Sequence, residues 1–416
     1  MVKPERRTGV DLAVSAVIAI VVIVAGFVAW ITGSAGKAVS ETAPAPSTVS
    51  GSLIELPVAL REAWTAEADR PVLALGGTVV TARGGEVAGH DPATGKRTWR
   101  YARGDTQVCG LTANAGLVLA FYRDVRGCGE VMALDPVTGQ RRASRSGRED
   151  HEVTLTGDGN YAIAQGPTRV DVFRSDLVRT VEYGKPDVPV NPGVQPRSGC
   201  TIGSALPSGA SITVLETCPT EPYPRLTVIG ASPKEASEPQ ETSSVVAAAL
   251  GSSDPDDAEA GDRPRLITAT AAGAVAYLPA QGGRSARVVT VDLQGRELRS
   301  VDVTTPAGGA PRDVPVVTEA GIASFFTGTS TVVVDAPSLV AEMVIPGTLG
   351  PGAVVGGQIV VPGPTSLTAY DLNSRTLVRS TPVARPGYST GPVLLTLASD
   401  ALVSQWGGTV QAYRSA

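Results

Sequence analysis

One short pattern recurs along this chain and limits what it can fold into. It is an alternating apolar stretch, then Asp or another small or polar residue, then a turn. The copies are EVAGHDPATG (86–95), EVMALDPVTG (130–139), RVDVFRSD (169–176), RLTVIGAS (225–232), RVVTVDLQG (287–295), TVVVDAPS (331–338), SLTAYDLNS (366–374) and TVQAYRSA (409–416). Superposing them aligns Asp91, Asp135, Arg174, Gly230, Asp292, Asp335, Asp371 and Arg414 at intervals of 36 to 62 residues. A repeat of about 40 residues is the length of a four-stranded propeller blade, a unit that cannot bury its apolar faces alone.

Two β-rich runs separated by a Gly turn precede each copy, and another short strand follows it. The order within a unit is therefore a, b, the repeated strand c, then d. In DPATG and DPVTG, Pro presets φ for a turn and the Asp side chain can cap backbone N–H groups. Gly95 and Gly139 can adopt the left-handed conformation that closes the hairpin. The 47 Gly and 32 Pro among 416 residues are thus mostly punctuation between strands. The last copy has no strand d after it, while 60–67 (LREAWTAE) is a strand-like run with no partners of its own. That run resembles KRTWRYAR, with Trp64 standing where Trp99 stands. An early strand d that completes a late a-b-c set closes a ring and removes exposed edges. The expectation is an all-β fold, an eight-bladed β-propeller of four-stranded antiparallel blades. Seven blades are the alternative, because the fourth unit is irregular.

Residues 12–31 (LAVSAVIAIVVIVAGFVAWI) carry no charge. Twenty residues at 1.5 Å each cross a bilayer core of ~30 Å. Trp30 sits at the outer end, where an indole favours the interface. The tail before it, 1–11, holds Lys3, Arg6 and Arg7 against Glu5, with Asp11 at the boundary. The excess of basic residues places the tail in the cytoplasm and the remainder outside, at the cell membrane, as a single-pass signal anchor. A cleaved signal peptide is the other reading, with Gly33, Ser34, Ala35 and Ala38 as small residues for cleavage, although its apolar region would be ~7–15 residues long. Residues 32–52, small, polar and Pro-containing, read as a flexible linker, and 53–416 as the extracytoplasmic propeller.

At Gly89-His-Asp91-Pro-Ala-Thr94-Gly95-Lys-Arg-Thr-Trp99 the chain resembles the PQQ-like, quinoprotein-type propeller repeat, Ala-x-Asp-x-x-Thr-Gly-x-x-x-Trp, departing only at Gly89. Ala133-Leu-Asp135-Pro-Val-Thr138-Gly139 matches again, with Ala143 in place of the Trp. The pairs at Asp292 and Asp371 are weaker copies. In that family the Trp docks between blades, which implies that role for Trp64 and Trp99 and a supporting one for Asp91, Gly95, Asp135 and Gly139. The resemblance covers residues 60–416. The anchored, small-residue-rich style is similar to that of actinobacterial envelope proteins, and the architecture to the BamB-type outer-membrane assembly lipoprotein, a scaffold that binds partner proteins.

The four Cys allow three pairings. Cys109 falls in strand a of the second unit and Cys128 at the end of its strand b, and Cys200 and Cys218 take the same two places in the fourth. That equivalence favours Cys109–Cys128 and Cys200–Cys218, which export to an oxidising compartment permits. A redox or thiolate metal site is the rival, but there is no Cys-x-x-Cys.

Residues 231–262 hold eight acids and one Lys, against −5 for the whole chain, so the ring itself is close to neutral. This stretch reads as a disordered, solvated insertion, within which 243–250 (SSVVAAAL) can supply strand d; an acidic docking site is the alternative. The chain is not basic overall, which argues against nucleic-acid binding. Arg123, Arg126, Arg141, Arg142, Arg145 and Arg148 cluster in the second unit, either as a solvated face or against acidic polymers or phospholipid headgroups. His90 and His151, the two histidines, read as surface residues. The Asp set (Asp91, Asp135, Asp292, Asp335, Asp371) reads as turn caps repeated with the blade.

No catalytic, cofactor-binding or metal-binding residues are assigned, and no cofactor is expected. Motifs for a nucleophile elbow, phosphate loop, zinc helix or calcium loop are absent. The leading reading is a non-enzymatic, membrane-anchored scaffold or assembly factor with a protein partner in the cell envelope. An exported sensor or small-ligand binder using the ring's central channel is the alternative. A PQQ-dependent dehydrogenase is the third reading, and the vicinal Cys pair expected of one is missing.

Overall fold

Alternation at period two sets the strands. Val108–Asn114 buries every second residue, as a strand with one covered face does. Second strands such as Gly273–Leu278 and Ala401–Trp406 bury every residue, because neighbouring sheets cover both their faces. The computed structural model describes residues 8–44, 51–186, 193–253 and 262–416. It contains eight antiparallel sheets arranged as an eight-bladed β-propeller. The first seven sheets run 73–103, 108–146, 154–184, 201–246, 265–302, 317–346 and 353–382, and the eighth holds 394–415.

The eighth sheet closes the ring. Its strands Leu394–Ala398, Ala401–Trp406 and Thr409–Ser415 come late in the chain, and its strand d is Leu60–Glu67. That strand pairs antiparallel with strand c from Leu60↔Ser415 to Glu67↔Thr409. The inner strand a of blade 8 also touches strand a of blade 1 (Leu73–Leu75), as those of blades 1 and 2 do. The eight-blade reading therefore holds, and the seven-blade alternative falls.

The core lies between blades rather than within one. Val80, Val87, Trp99 and Tyr101 of blade 1 pack on Val108, Val118, Tyr122 and Leu134 of blade 2. The antiparallel order puts the b–c hairpins and the d–a links on one face, called upper here, and the a–b and c–d turns on the lower face.

Ahead of the ring, helix α1 spans Gly9–Thr32, longer at both ends than the uncharged run. Thr8 caps it, and Asp11 completes a reciprocal capping box, so Asp11 is a helix-start residue rather than only a boundary. The helix is long and apolar enough to cross a membrane, and none of it is buried among the described residues. The basic tail at Lys3, Arg6 and Arg7, on which the orientation expectation rests, lies outside the described residues.

Two regions expected to be loose carry structure. Within the linker, Ala38–Glu41 forms a fifth strand on blade 1, antiparallel to its strand d (Arg97–Arg103) from Ala38↔Arg103 to Glu41↔Arg100. Glu41 also faces Arg97 and Arg100. Residues 51–59 then cross the lower face: Leu53 N donates to Ser399 O, and the N–H of buried Leu56 donates to Gln358 Oε1. The acidic insertion is likewise narrower than expected. Glu241–Val246 is strand d of blade 4, beginning two residues before the expected run, and Ala248–Leu250 is a 3-10 turn with Leu250 buried. Residues 254–261 of that insertion lie outside the described residues.

Candidate functional site

Two turns and two indoles build one kind of seam. Asp91 Oδ1 accepts from the N–H groups of Ala93 (3.1 Å) and Thr94 (2.8 Å) and from Thr94 Oγ1 (2.8 Å). Asp135 Oδ1 does the same for Val137 and Thr138. Each turn ends on a glycine with φ near +70°, Gly95 and Gly139. The indole of Trp64, in blade 8, lies on Gly95 of blade 1, and its Nε1 donates to Pro92 O at 2.8 Å. Trp99, in blade 1, lies on Gly139 of blade 2, and its Nε1 donates to Pro136 O at 2.8 Å. A Cβ on Gly139 would stand 2.7 Å from the Trp99 ring, so the turn needs glycine twice, for φ and for room. The departure at Gly89 has a local reason too: a Cβ there would meet Trp99 Nε1 at 2.1 Å.

His90 stands at the edge of this seam. Its ring stacks on Trp64 at 6.1 Å and it is half-buried. Nδ1 bonds to Gly95 O, which can only accept, so Nδ1 carries the proton and Nε2 accepts from Thr81 Oγ1 at 3.0 Å. Burial lowers its pKa below the ordinary histidine value and keeps it neutral.

Farther round the ring the seams add buried charge to their apolar cores, a feature the sequence reading did not single out. In blade 3, Asp171 is fully buried and takes a bidentate pair of bonds from Arg169 (2.8 and 3.0 Å) and one from Arg179 Nη1 (2.9 Å). Arg179 also pairs with Glu182. Glu149, from the link between blades 2 and 3, lies buried beside them, 4.0 Å from Arg169 Nε, and neither of its oxygens has a hydrogen-bond partner among the described residues. Burial, with the adjacent Asp171 carboxylate, raises the Glu149 pKa well above the usual range. Between blades 3 and 4, Tyr183 and Thr227 hydroxyls donate to buried Glu216, whose pKa burial also raises. Between blades 5 and 6, Tyr277 donates to Asp262, and the Arg265 guanidinium lies 5.3 Å from the Tyr277 and Phe325 rings. These groups all sit toward the upper face.

Both disulfides are there as well. Cys200 and Cys218 are bonded at the adjoining ends of strands a and b of blade 4. Cys109 and Cys128 are bonded in blade 2, but Cys128 sits at the start of strand c (Gly127–Leu134), not at the end of strand b. The bond therefore joins first and third strands, and it can do so because strand a bulges between Val108 and Gly110. Within the blade 2 arginine cluster, Arg142 pairs with Asp135, Arg126 with Asp124 and Glu130, and Arg123 Nη2 donates to the His151 carbonyl.

No group of three or more His, Cys, Asp or Glu placed to hold a metal occurs among the described residues. A cleft of about 500 Å³ opens on the lower face between blades 6 and 7, lined by Asp335, Glu342, Asn373 and Arg375.

The chain matches no family model and no curated protein. Among solved structures it is similar to the computationally designed Ika8 protein, at 13% identity over 86% of this chain and 100% of that one, with a TM-score of 0.53. It is also similar to quinohemoprotein alcohol dehydrogenase ADHIIG from Pseudomonas putida HK5 (13% identity, 86% and 76% coverage, TM-score 0.49). The C-terminal WD40 domain of Sif2 aligns at 8% identity over 87% of this chain and 100% of that one, with a TM-score of 0.49. At such identities the likeness concerns the fold alone: this chain is an eight-bladed β-propeller led by one apolar helix.

Proposed function

We propose that the protein is a non-enzymatic, membrane-anchored scaffold or assembly factor whose ring lies outside the cytoplasm and holds a protein partner in the cell envelope. The observation that carries this is the short join between a membrane-length helix and a disulfide-bonded ring. Disulfides persist in oxidising compartments. A ring fixed by closure and by docked seams presents its loops rigidly, as binding loops require. The resemblance of the Asp-Pro turns and docked indoles to PQQ-like repeats, and through them to BamB-type scaffolds, supports the same reading at the level of architecture.

Photo-crosslinkers placed on upper-face and lower-face loops in intact membranes test it. The expected result is one discrete adduct arising from a contiguous patch on one face. Absence of adducts from both faces, in protein whose four cysteines resist thiol labelling, would sink the scaffold reading. Free cysteines would instead sink the placement outside the cytoplasm.

One observation favours a second reading, a small-ligand sensor: the cleft lined by Asp335, Glu342, Asn373 and Arg375 joins opposite charges in a single opening. A rise in Tm with a sugar, lipid or metal that is lost in Arg375→Ala would favour it.

A further inference from the structure

The helix and the ring are joined too closely for the ring to take any orientation it likes. Between Thr32, the last residue of α1, and Ala38, the first of the added strand, stand Gly33 to Lys37. Five residues span at most about 20 Å at ~3.3–3.6 Å each. Ser34–Lys37 forms a 3-10 turn, which rises only ~2 Å per residue. The strand then fixes the chain's entry point by its register on blade 1, and Gly104 N donates to Lys37 O at the upper end of that blade. The chain thus leaves the bilayer at the upper rim of blade 1.

The neighbouring hairpin on that rim has an unusual tip. The link after blade 1 is tied to blade 2 where Thr106 Oγ1 and the N–H of Arg123 bond to Arg123 O and Gln107 O respectively. Two residues beyond Arg123, Val125 is 93% exposed, the most exposed large apolar side chain outside the helix among the described residues. A backbone turn held by Asp124, whose Oδ1 accepts from Arg126 N at 2.7 Å, pushes it outward. Around it stand the guanidiniums of Arg103, Arg123 and Arg126 and the carboxylates of Asp124 and Glu130, with Asp105, Asp150 and Glu152 in the links alongside. Arg123 Nη2 spends its bond on a neutral carbonyl, that of His151, and so keeps its charge available. An apolar tip flanked by the guanidiniums of Arg123 and Arg126 suits the boundary between acyl chains and lipid headgroups.

We infer that the upper rim of blades 1 and 2 rests on the bilayer, with Val125 at headgroup depth and Arg123 and Arg126 among the phosphates. The inference rests on the anchoring reading above and adds to it which face meets the lipid. The lower face is then the one left open to a partner.

The test uses the full chain in vesicles of phosphatidylcholine and phosphatidylglycerol. An environment-sensitive fluorophore is attached through Val125→Cys or, as the comparison, through Ile54→Cys. Ile54 is the next most exposed large apolar residue of the ring and lies on Gly356 at the lower face. Spin-labelled lipid should quench the probe at 125 severalfold more than the probe at 54, with a blue shift only at 125. Equal quenching, or stronger quenching at 54, in protein that still sediments with the vesicles would overturn the inference and leave anchoring intact. Protein that does not sediment would overturn the anchoring reading and this inference with it. A gain at 125 that persists in vesicles of phosphatidylcholine alone supports apposition by the tether, and its strengthening by phosphatidylglycerol supports the role of the arginines.

Discussion

The seams from blade 8 through blade 2 and those from blade 2 through blade 4 share apolar cores but reinforce them by opposite means. The first kind uses a large flat side chain over a glycine, with a single hydrogen bond from Trp64 or Trp99 to a turn carbonyl. The second uses buried ionised or hydroxyl groups, with Asp171 between Arg169 and Arg179 and with Glu216 beneath Tyr183 and Thr227. Burying an indole is favourable by itself, whereas burying charges is favourable only while every partner remains. The docked seams should therefore tolerate gradual change, and the charged seams should fail when one member is lost.

The largest effects should come from removing one central residue of each. Trp99→Ala should cost ~3–5 kcal/mol in urea unfolding, as deletion of a buried aromatic does. Asp171→Ala should cost a similar ~3–5 kcal/mol, because Arg169 and Arg179 are left buried without their carboxylate. The two are told apart by joint replacement. Exchanging Glu149, Arg169, Asp171, Arg179 and Glu182 together for apolar residues of like volume should restore much of the lost stability. If the joint variant is as unstable as Asp171→Ala, the contrast between the seams breaks down.

A somewhat smaller effect is expected where the ring is tied covalently. Replacing Cys109 and Cys128 by Ser should lower stability by about 3 kcal/mol, the chain-entropy figure for a loop of this size. An unchanged Tm under reducing and non-reducing conditions would show that the clamp is redundant with the seams around it. Smaller still is Trp99→Phe, which keeps most of the buried area but leaves the Pro136 carbonyl without its donor. Its cost should be about 1 kcal/mol. A cost as large as that of Trp99→Ala would mean that the hydrogen bond, not the packing, holds the docked seam.

The last comparison is by pH. Glu149 has a folded pKa raised above its unfolded value, so its contribution is fully present below about pH 4 and is lost as pH rises through the folded value. Glu149→Gln should thus stabilise the protein at neutral and alkaline pH, with the advantage shrinking on acidification. His90, with its pKa lowered, acts in the opposite direction: stability is present above about pH 6.5 and declines as pH falls below it. Thermal melts of Glu149→Gln and the parent from acid to alkaline pH check both. Parallel curves would show that Glu149 does not titrate in the folded protein.

Much of the ring was legible because the blade repeats its turn chemistry. Asp91, Pro92, Thr94 and Gly95 satisfy local backbone groups, so the same letters recur wherever the same turn does. The fourth blade was legible only in outline. Its strand d, Glu241–Val246, carries the polar run Glu-Thr-Ser-Ser and is set in an acidic, Pro-containing stretch, which masks the period. Ala38–Glu41 was missed because a four-residue edge strand has little periodicity to show, and its register comes from Arg97–Arg103 across the sheet. The charged seams left one trace. Arg169 and Asp171 stand two apart in a strand whose other members are apolar up to Arg174 at its end, so both point to one face. Their placement inside came from partners at Glu149 and Arg179 that no local pattern links to them.

Closure by Leu60–Glu67 also sets a schedule. Glu62 and Gln411 bond side chain to side chain across 349 residues of sequence. At about 5–20 residues per second of synthesis, that early strand waits some tens of seconds for the strand it pairs with. During that interval it is an unpaired edge beside a growing row of finished blades, close to the membrane it has just crossed if the helix is the anchor. Export machinery or a chaperone that shields residues 60–67 would therefore govern the yield of the whole ring, and slowing synthesis after blade 7 should lower that yield more than slowing it before blade 2.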